Sequence, residues 1–243
     1  MSIENTKSTR RFSNVFRLAE SVLGGRIESG RDTRISAWLP LQILAMMVAC
    51  GLMYGAVMGS FSDSISEIRI SQVIYSAIKV PFLLLATFLL SLPSFYVANS
   101  LLGLSRDFGQ AFRALLAAQS ALTLILASLA PLIFFLYISG ISYDMALACN
   151  SLAFGISSLS VQVLLRKLYR PLIAGNKLHK MMIIAWIIIY AFVGIQMGWI
   201  LRPFIGSPRR ETTFFREDAW GNAYIEIFDL FSRLVENMFR GNM

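Results

Sequence analysis

Residues 114–138 read ALLAAQSALTLILASLAPLIFFLYI, with no charged side chain. An α-helix needs about 20 predominantly apolar residues to cross the ~30 Å hydrocarbon core of a bilayer. Four more runs meet that requirement: Trp38–Met58, Val73–Val97, Met145–Leu165 and Met181–Leu201. Lys79, in the second run, is the only charge among them. A backbone in lipid must satisfy its own hydrogen bonds, and runs of this length do so as helices. The expected fold is therefore all-α. It is a polytopic membrane bundle of five transmembrane helices, with a C-terminal amphipathic helix outside it.

Composition points the same way. Of 243 residues, 56% are hydrophobic and 15% charged, where soluble domains average about 25% charged. Mean hydropathy is +0.62. That much apolar surface cannot be hidden in a 27.2 kDa soluble domain, and it excludes intrinsic disorder. Two cysteines and one histidine leave little from which to build a disulfide framework or a metal site.

Three regions follow. Residues 1–37 form a basic cytoplasmic arm in which Phe12, Val15, Phe16, Leu18, Ala19 and Val22 have helical spacing beside Arg10, Arg11 and Arg17. Residues 38–201 hold the five spans. Residues 202–243 form an extracytoplasmic tail. Orientation rests on Lys and Arg in the short loops. Seven lie in the second and fourth loops and one, Arg69, in the first and third. The side richer in basic residues is the cytoplasmic one. The N-terminus is thus expected inside a bacterial cytoplasmic (inner) membrane and the C-terminus outside. Trp38, Tyr137 and Trp199 stand at span ends, where interfacial aromatics belong.

Within the spans, Gly51, Gly55 and Gly59 repeat every fourth residue, and Gly194 and Gly198 repeat the interval in the fifth. Glycines on one face let another helix approach closely. They are helix-packing residues, serving contacts within the bundle or, alternatively, a homodimer. The fourth span carries Asn150, Ser157, Ser160 and Gln162, and Gln42, Gln119 and Gln196 lie in three others. Such groups bond across helices, or alternatively line a polar path through Lys79, Asn150, Ser157 and Gln162. Lys79 lies six residues from the outer end, so its stem is expected to snorkel outwards. Coupled carriers commonly place Asp or Glu at mid-membrane, and these spans hold neither.

Catalysis has little support. No H-E-x-x-H, C-x-x-C, P-loop or G-x-G-x-x-G is present. His179 reads as a solvated loop residue, and Cys50 and Cys149 as small core residues. No catalytic, cofactor or metal residue is assigned, and no cofactor is expected. Basic charge is spread over loops without a nucleic-acid module, so its partners are lipid headgroups rather than nucleic acid.

Residues 220–239 read as an amphipathic helix. Glu226, Asp229, Arg233, Glu236 and Arg240 make one polar stripe at spacings of three and four. Trp220, Phe228, Phe231, Leu234, Val235 and Met238 supply the apolar surface. An interfacial helix usually has a Lys/Arg-rich polar face, whereas this stripe is mixed and slightly acidic. A docking role towards protein is the expectation.

Five spans with termini on opposite sides, together with the stretch 102–113, LGLSRDFGQAFR, running into Ala114–Pro131, resemble the bacterial members of the Yip1 family over roughly residues 38–201. The resemblance implies a five-span membrane domain and supplies no catalytic residue. The Asp-Leu-x-Gly-Pro signature of eukaryotic members is absent. The functional expectation is a non-catalytic structural or assembly component, acting through helix–helix and tail contacts with other membrane subunits or itself. The alternative is a small transporter or channel subunit using the polar face of the fourth span.

Overall fold

A computed structural model describes residues 39–62, 69–207, 211–216, 221 and 224–225. The basic arm and the apolar residues of 220–239 that carry the docking expectation lie outside the described residues. The described chain is all-helical. The helices are α1 Leu39–Gly59, α2 Ile70–Leu101, α3 Phe108–Ile138, α4 Tyr143–Leu168, the short α5 Arg170–Gly175, and α6 Leu178–Leu201. Five of them are long and apolar enough to cross a membrane.

Helices α2, α3, α4 and α6 start earlier than the hydropathic runs. Helix α2 runs Ile70–Leu101 rather than Val73–Val97, and α3 runs Phe108–Ile138 rather than Ala114–Ile138. Hydropathy marks only the part that sits in hydrocarbon. Backbone hydrogen bonding carries each helix on until a capping element stops it. Gly103 (φ +70°) ends α2 in a Schellman motif. There Leu104 N–H donates to the Asn99 carbonyl at 2.9 Å and Gly103 N–H to Ser100 at 3.1 Å. At the start of α4, Ser142 accepts from Met145 N–H at 3.3 Å. Pro81 and Pro93 lie inside α2 and Pro131 inside α3, and the helices continue through all three.

Helix α1 packs against α2 and α3, α6 against α2, and α4 against α3. The three central helices thus carry α4 and α6 on their flanks, and these two are not packed on each other. An open groove of about 430 Å³ lies between α4 and α6, floored by α2 and α3. Edge-on aromatic contacts tie α2 to α6 at its base, with Phe88 and Phe95 each against Trp186 at 5.7 and 5.2 Å.

The glycine ladder is the seam between α1 and α2. A Cβ on Gly51 would stand 2.8 Å from Pro81 Cβ, and one on Gly59 would stand 2.8 Å from Ser76 Cβ. One on Gly55 would overlap the Ser76 carbonyl oxygen and stand 2.8 Å from Ala77 Cα. The ladder is therefore occupied within the chain, which leaves a homodimer no access to it. The second pair differs from expectation. Among the described residues Gly194 would meet only Thr87 Cγ2, at 3.4 Å, and Gly198 would meet nothing within 4 Å. Four-residue spacing puts two glycines on one face but does not bring a helix to that face.

Candidate functional site

Among the described residues the densest long-range polar contact lies at one end of the bundle, where α2 begins and α6 ends. Arg69, Gln72, Ser76 and Lys79 recur at intervals of three, four and three, so they share one face of α2. The segment leaving α6 crosses that face. Lys79 Nζ donates to the Pro203 carbonyl at 2.8 Å. Gln72 Nε2 donates to the Phe204 carbonyl at 3.0 Å, and Ser76 Oγ donates to the same oxygen. Arg69 donates to the Ser207 carbonyl and, at 3.4 Å, to Thr212 Oγ1. Phe214 closes over the top, edge-on to Tyr75 at 5.2 Å, with Lys79 Nζ 4.9 Å from its ring centre. We call this arrangement the clamp.

Its logic is that of caps and turns elsewhere. After Leu201 the backbone leaves the helix, and its carbonyls need donors. Four donors at helical spacing supply them. Ile205 is then drawn down to 3% exposure, and with Phe204 it borders a small cavity beside Met58 and Asn150. Gly206 permits the approach, since a Cβ there would stand 2.8 Å from Gln72 Cγ.

Lys79 therefore does not snorkel into water. It is 0% exposed, although its stem runs towards the expected end of the bundle. A carbonyl dipole and an aromatic face replace the solvent that its ammonium would otherwise require. Sequence reasoning singled out this residue by its charge but missed Arg69, Gln72 and Ser76. The available signal was their three-four-three spacing with Lys79.

The fourth-span polar residues do not form one path. Asn150, 1% exposed, accepts from Tyr54 OH at 3.0 Å and donates to Tyr137 OH at 2.6 Å, which links α1, α4 and α3. Tyr137 is thereby an internal bridge rather than an interfacial anchor. Ser157 and Ser160 donate back to their own helix, to Ala153 and Ile156, instead of reaching a neighbour. Gln162 borders the α4–α6 groove, whereas Asn150 and Lys79 do not. In α3, Gln119 donates to the Leu84 carbonyl at 3.0 Å and accepts from Tyr190 OH at 2.8 Å. Gln196 Nε2 donates to the Gly221 carbonyl at 3.2 Å.

At the opposite end, His179 is not a solvated loop residue. It lies in the first turn of α6 at 0% exposure. Its Nε2 is 3.1 Å from Asp107 Oδ2, and its ring packs edge-on to Tyr169. The Asp107–His179 bond ties the second loop to the first turn of α6. Burial raises the Tyr169 phenol pKa above its usual value, so it stays neutral. Among the described residues no three His, Cys, Asp or Glu side chains converge as metal ligands. Cys50 and Cys149 are free thiols, each partly buried within a span.

Compared with family models, curated proteins and solved structures, the chain matches none of them.

Proposed function

We propose that this multi-pass membrane protein is a non-catalytic structural or assembly component of a bacterial cytoplasmic membrane, and that its bundle holds a C-terminal tail out for a partner. The observation that carries the proposal is the clamp. The second span's one charge and its neighbouring polar groups are committed to carbonyls of the tail. Groups engaged in this way fix where the tail emerges. Two exposed apolar faces add support. Leu152, Ile156, Leu159 and Val163 form an exposed row along α4, and Ile184, Ile188 and Ile195 form one along α6. Such rows can face lipid or the helices of another subunit. The polar-path alternative has no specific observation in its favour, because Gln162 and Asn150 border different cavities, Ser157 bonds back to its own helix and Lys79 is committed to the Pro203 carbonyl.

The five-span order and the 102–113 stretch support membership of the Yip1-like group as part of the same proposal. So does an orientation with the N-terminus and the Asp107–His179 end cytoplasmic, and the clamp and tail outside. Orientation is checked by labelling intact cells through single cysteines placed at Asn176 and at Ser207. An impermeant maleimide is expected to modify the cysteine at 207 and to spare the one at 176. The reverse pattern would invert the topology.

The assembly role is tested by comparing proteins that co-purify in one mild detergent. Phe228→Ser with Phe231→Ser is expected to lose a discrete partner set while the spans remain inserted, because two large apolar side chains leave the tail's docking face. An identical partner set, with wild-type tail binding to protein-free liposomes regardless of anionic lipid, would make the tail an interfacial anchor instead.

A further inference from the structure

Beside the clamp, an open cleft of about 420 Å³ is bordered by Arg69, Gln72, Gly206, Glu211 and Arg216. We propose that it binds the headgroup of a glycerophospholipid that pairs a phosphodiester with an N–H or O–H donor, as phosphoglycerol and phosphoethanolamine do.

Three observations define the ligand. The first is the Gln72 amide, 2% exposed. Its nitrogen is committed to the Phe204 carbonyl and to Ser76 Oγ. A carbonyl can only accept, so the amide cannot be turned round. Among the described residues its oxygen Oε1 is left buried without a partner, beside Gly206, where a Cβ would stand 3.4 Å from it. A buried acceptor of this kind calls for a donor. The second is charge. Arg69 and Arg216 place two guanidiniums on the wall, the group best suited to phosphate. Among the described residues neither Arg216 nor Glu211 has an ion-pair partner. Two positive charges and one carboxylate fit a ligand carrying a phosphate and, next to it, hydrogen-bond donors for Glu211 and Gln72.

The third is depth. Helix α2 has 32 residues, so it is about 48 Å long against ~30 Å of hydrocarbon. Centred on the bilayer, it puts Arg69 and Gln72 in the headgroup layer, with Lys79 just inside the hydrocarbon. A membrane phospholipid is therefore the phosphodiester at hand. The cavity equals about 14 water volumes at ~30 Å³ each, enough for a headgroup with its alcohol. The inference rests on the clamp geometry and is independent of what the tail assembles with.

The test uses the full-length protein, delipidated in detergent. It is titrated with short-chain phosphatidylglycerol, phosphatidylethanolamine and phosphatidylcholine carrying identical acyl chains. Lipid adducts are read by native mass spectrometry and stabilisation by thermal unfolding. Phosphatidylglycerol and phosphatidylethanolamine are expected to bind and raise Tm. Phosphatidylcholine, whose trimethylammonium has no hydrogen to donate, is expected to bind at least tenfold more weakly. Arg216→Gln, outside the clamp contacts, is expected to weaken both donor-bearing lipids about tenfold, as loss of a charge-assisted hydrogen bond would. Arg216→Lys should recover part of that loss. Equal binding of phosphatidylcholine, or an unchanged Arg216→Gln protein, would overturn the proposal. Stabilisation by soluble glycerol 1-phosphate as strong as by the lipids would overturn the lipid as its source.

Discussion

Gly55→Leu is expected to abolish the folded bundle. The first atom of any side chain at position 55 would already overlap the backbone of α2 at Ser76 and Ala77. A flexible side-chain tip could move aside, but helix backbone cannot move without parting α1 from α2. That seam also seats Gly51 on Pro81 and Gly59 on Ser76, so parting it disturbs the clamp as well. Overpacking typically costs about 1–3 kcal/mol where side chains can yield. Backbone against backbone is expected at or above the top of that range. Yield of monodisperse protein and thermal unfolding in detergent provide the measurement. Gly198→Leu is the matched control: the same change in another span, at a position with no neighbour within 4 Å among the described residues, should leave both readouts near wild type. A Gly55→Leu protein that melts like wild type would mean that α1 and α2 do not pack closely through the ladder.

Lys79→Met is expected to release the tail. The substitution keeps the apolar stem but removes the donor to the Pro203 carbonyl and the charge over Phe214. Hydrogen bonds to charged groups contribute about 1.5–3 kcal/mol, so the lifted state should become roughly 10- to 100-fold more populated. Ile205, buried beneath the clamp, offers the readout. In a background with Cys50 and Cys149 replaced by Ala, a cysteine at position 205 should react slowly with maleimide when Lys79 is present and at least tenfold faster in Lys79→Met. Insertion of the five spans should not change. Equal labelling rates would show that Gln72, Ser76 and Arg69 hold the tail without it. A lysine that merely reached into water would predict that same null result, so the experiment separates the two accounts.

Hydropathy is a local sum, and each span declared itself in about twenty consecutive residues. That is why the all-α fold and the five helices long enough to cross a membrane were legible from runs such as 114–138, while the helix ends were not. Capping at Gly103 and Ser142, rather than apolarity, sets where α2 ends and where α4 begins. The glycine ladder was legible as a close-approach face, since spacing alone puts Gly51, Gly55 and Gly59 on one side of a helix. Its partner was not legible, and Gly194 with Gly198 shows that the same spacing can meet almost nothing among the described residues.

The site divided along the same line. By itself the sequence determined that Lys79 was a lone charge in an apolar run and that His179 was the single histidine. Only the tertiary structure decided what each touches. The partner of Lys79 is a backbone carbonyl 124 residues away, and that of His179 is a carboxylate 72 residues away. Every residue, proline included, carries the same backbone carbonyl, so composition and spacing cannot say which one will be left without a helical donor. That follows from where α6 ends and how the chain beyond it folds back over α2, a long-range consequence of packing that no local window of residues contains.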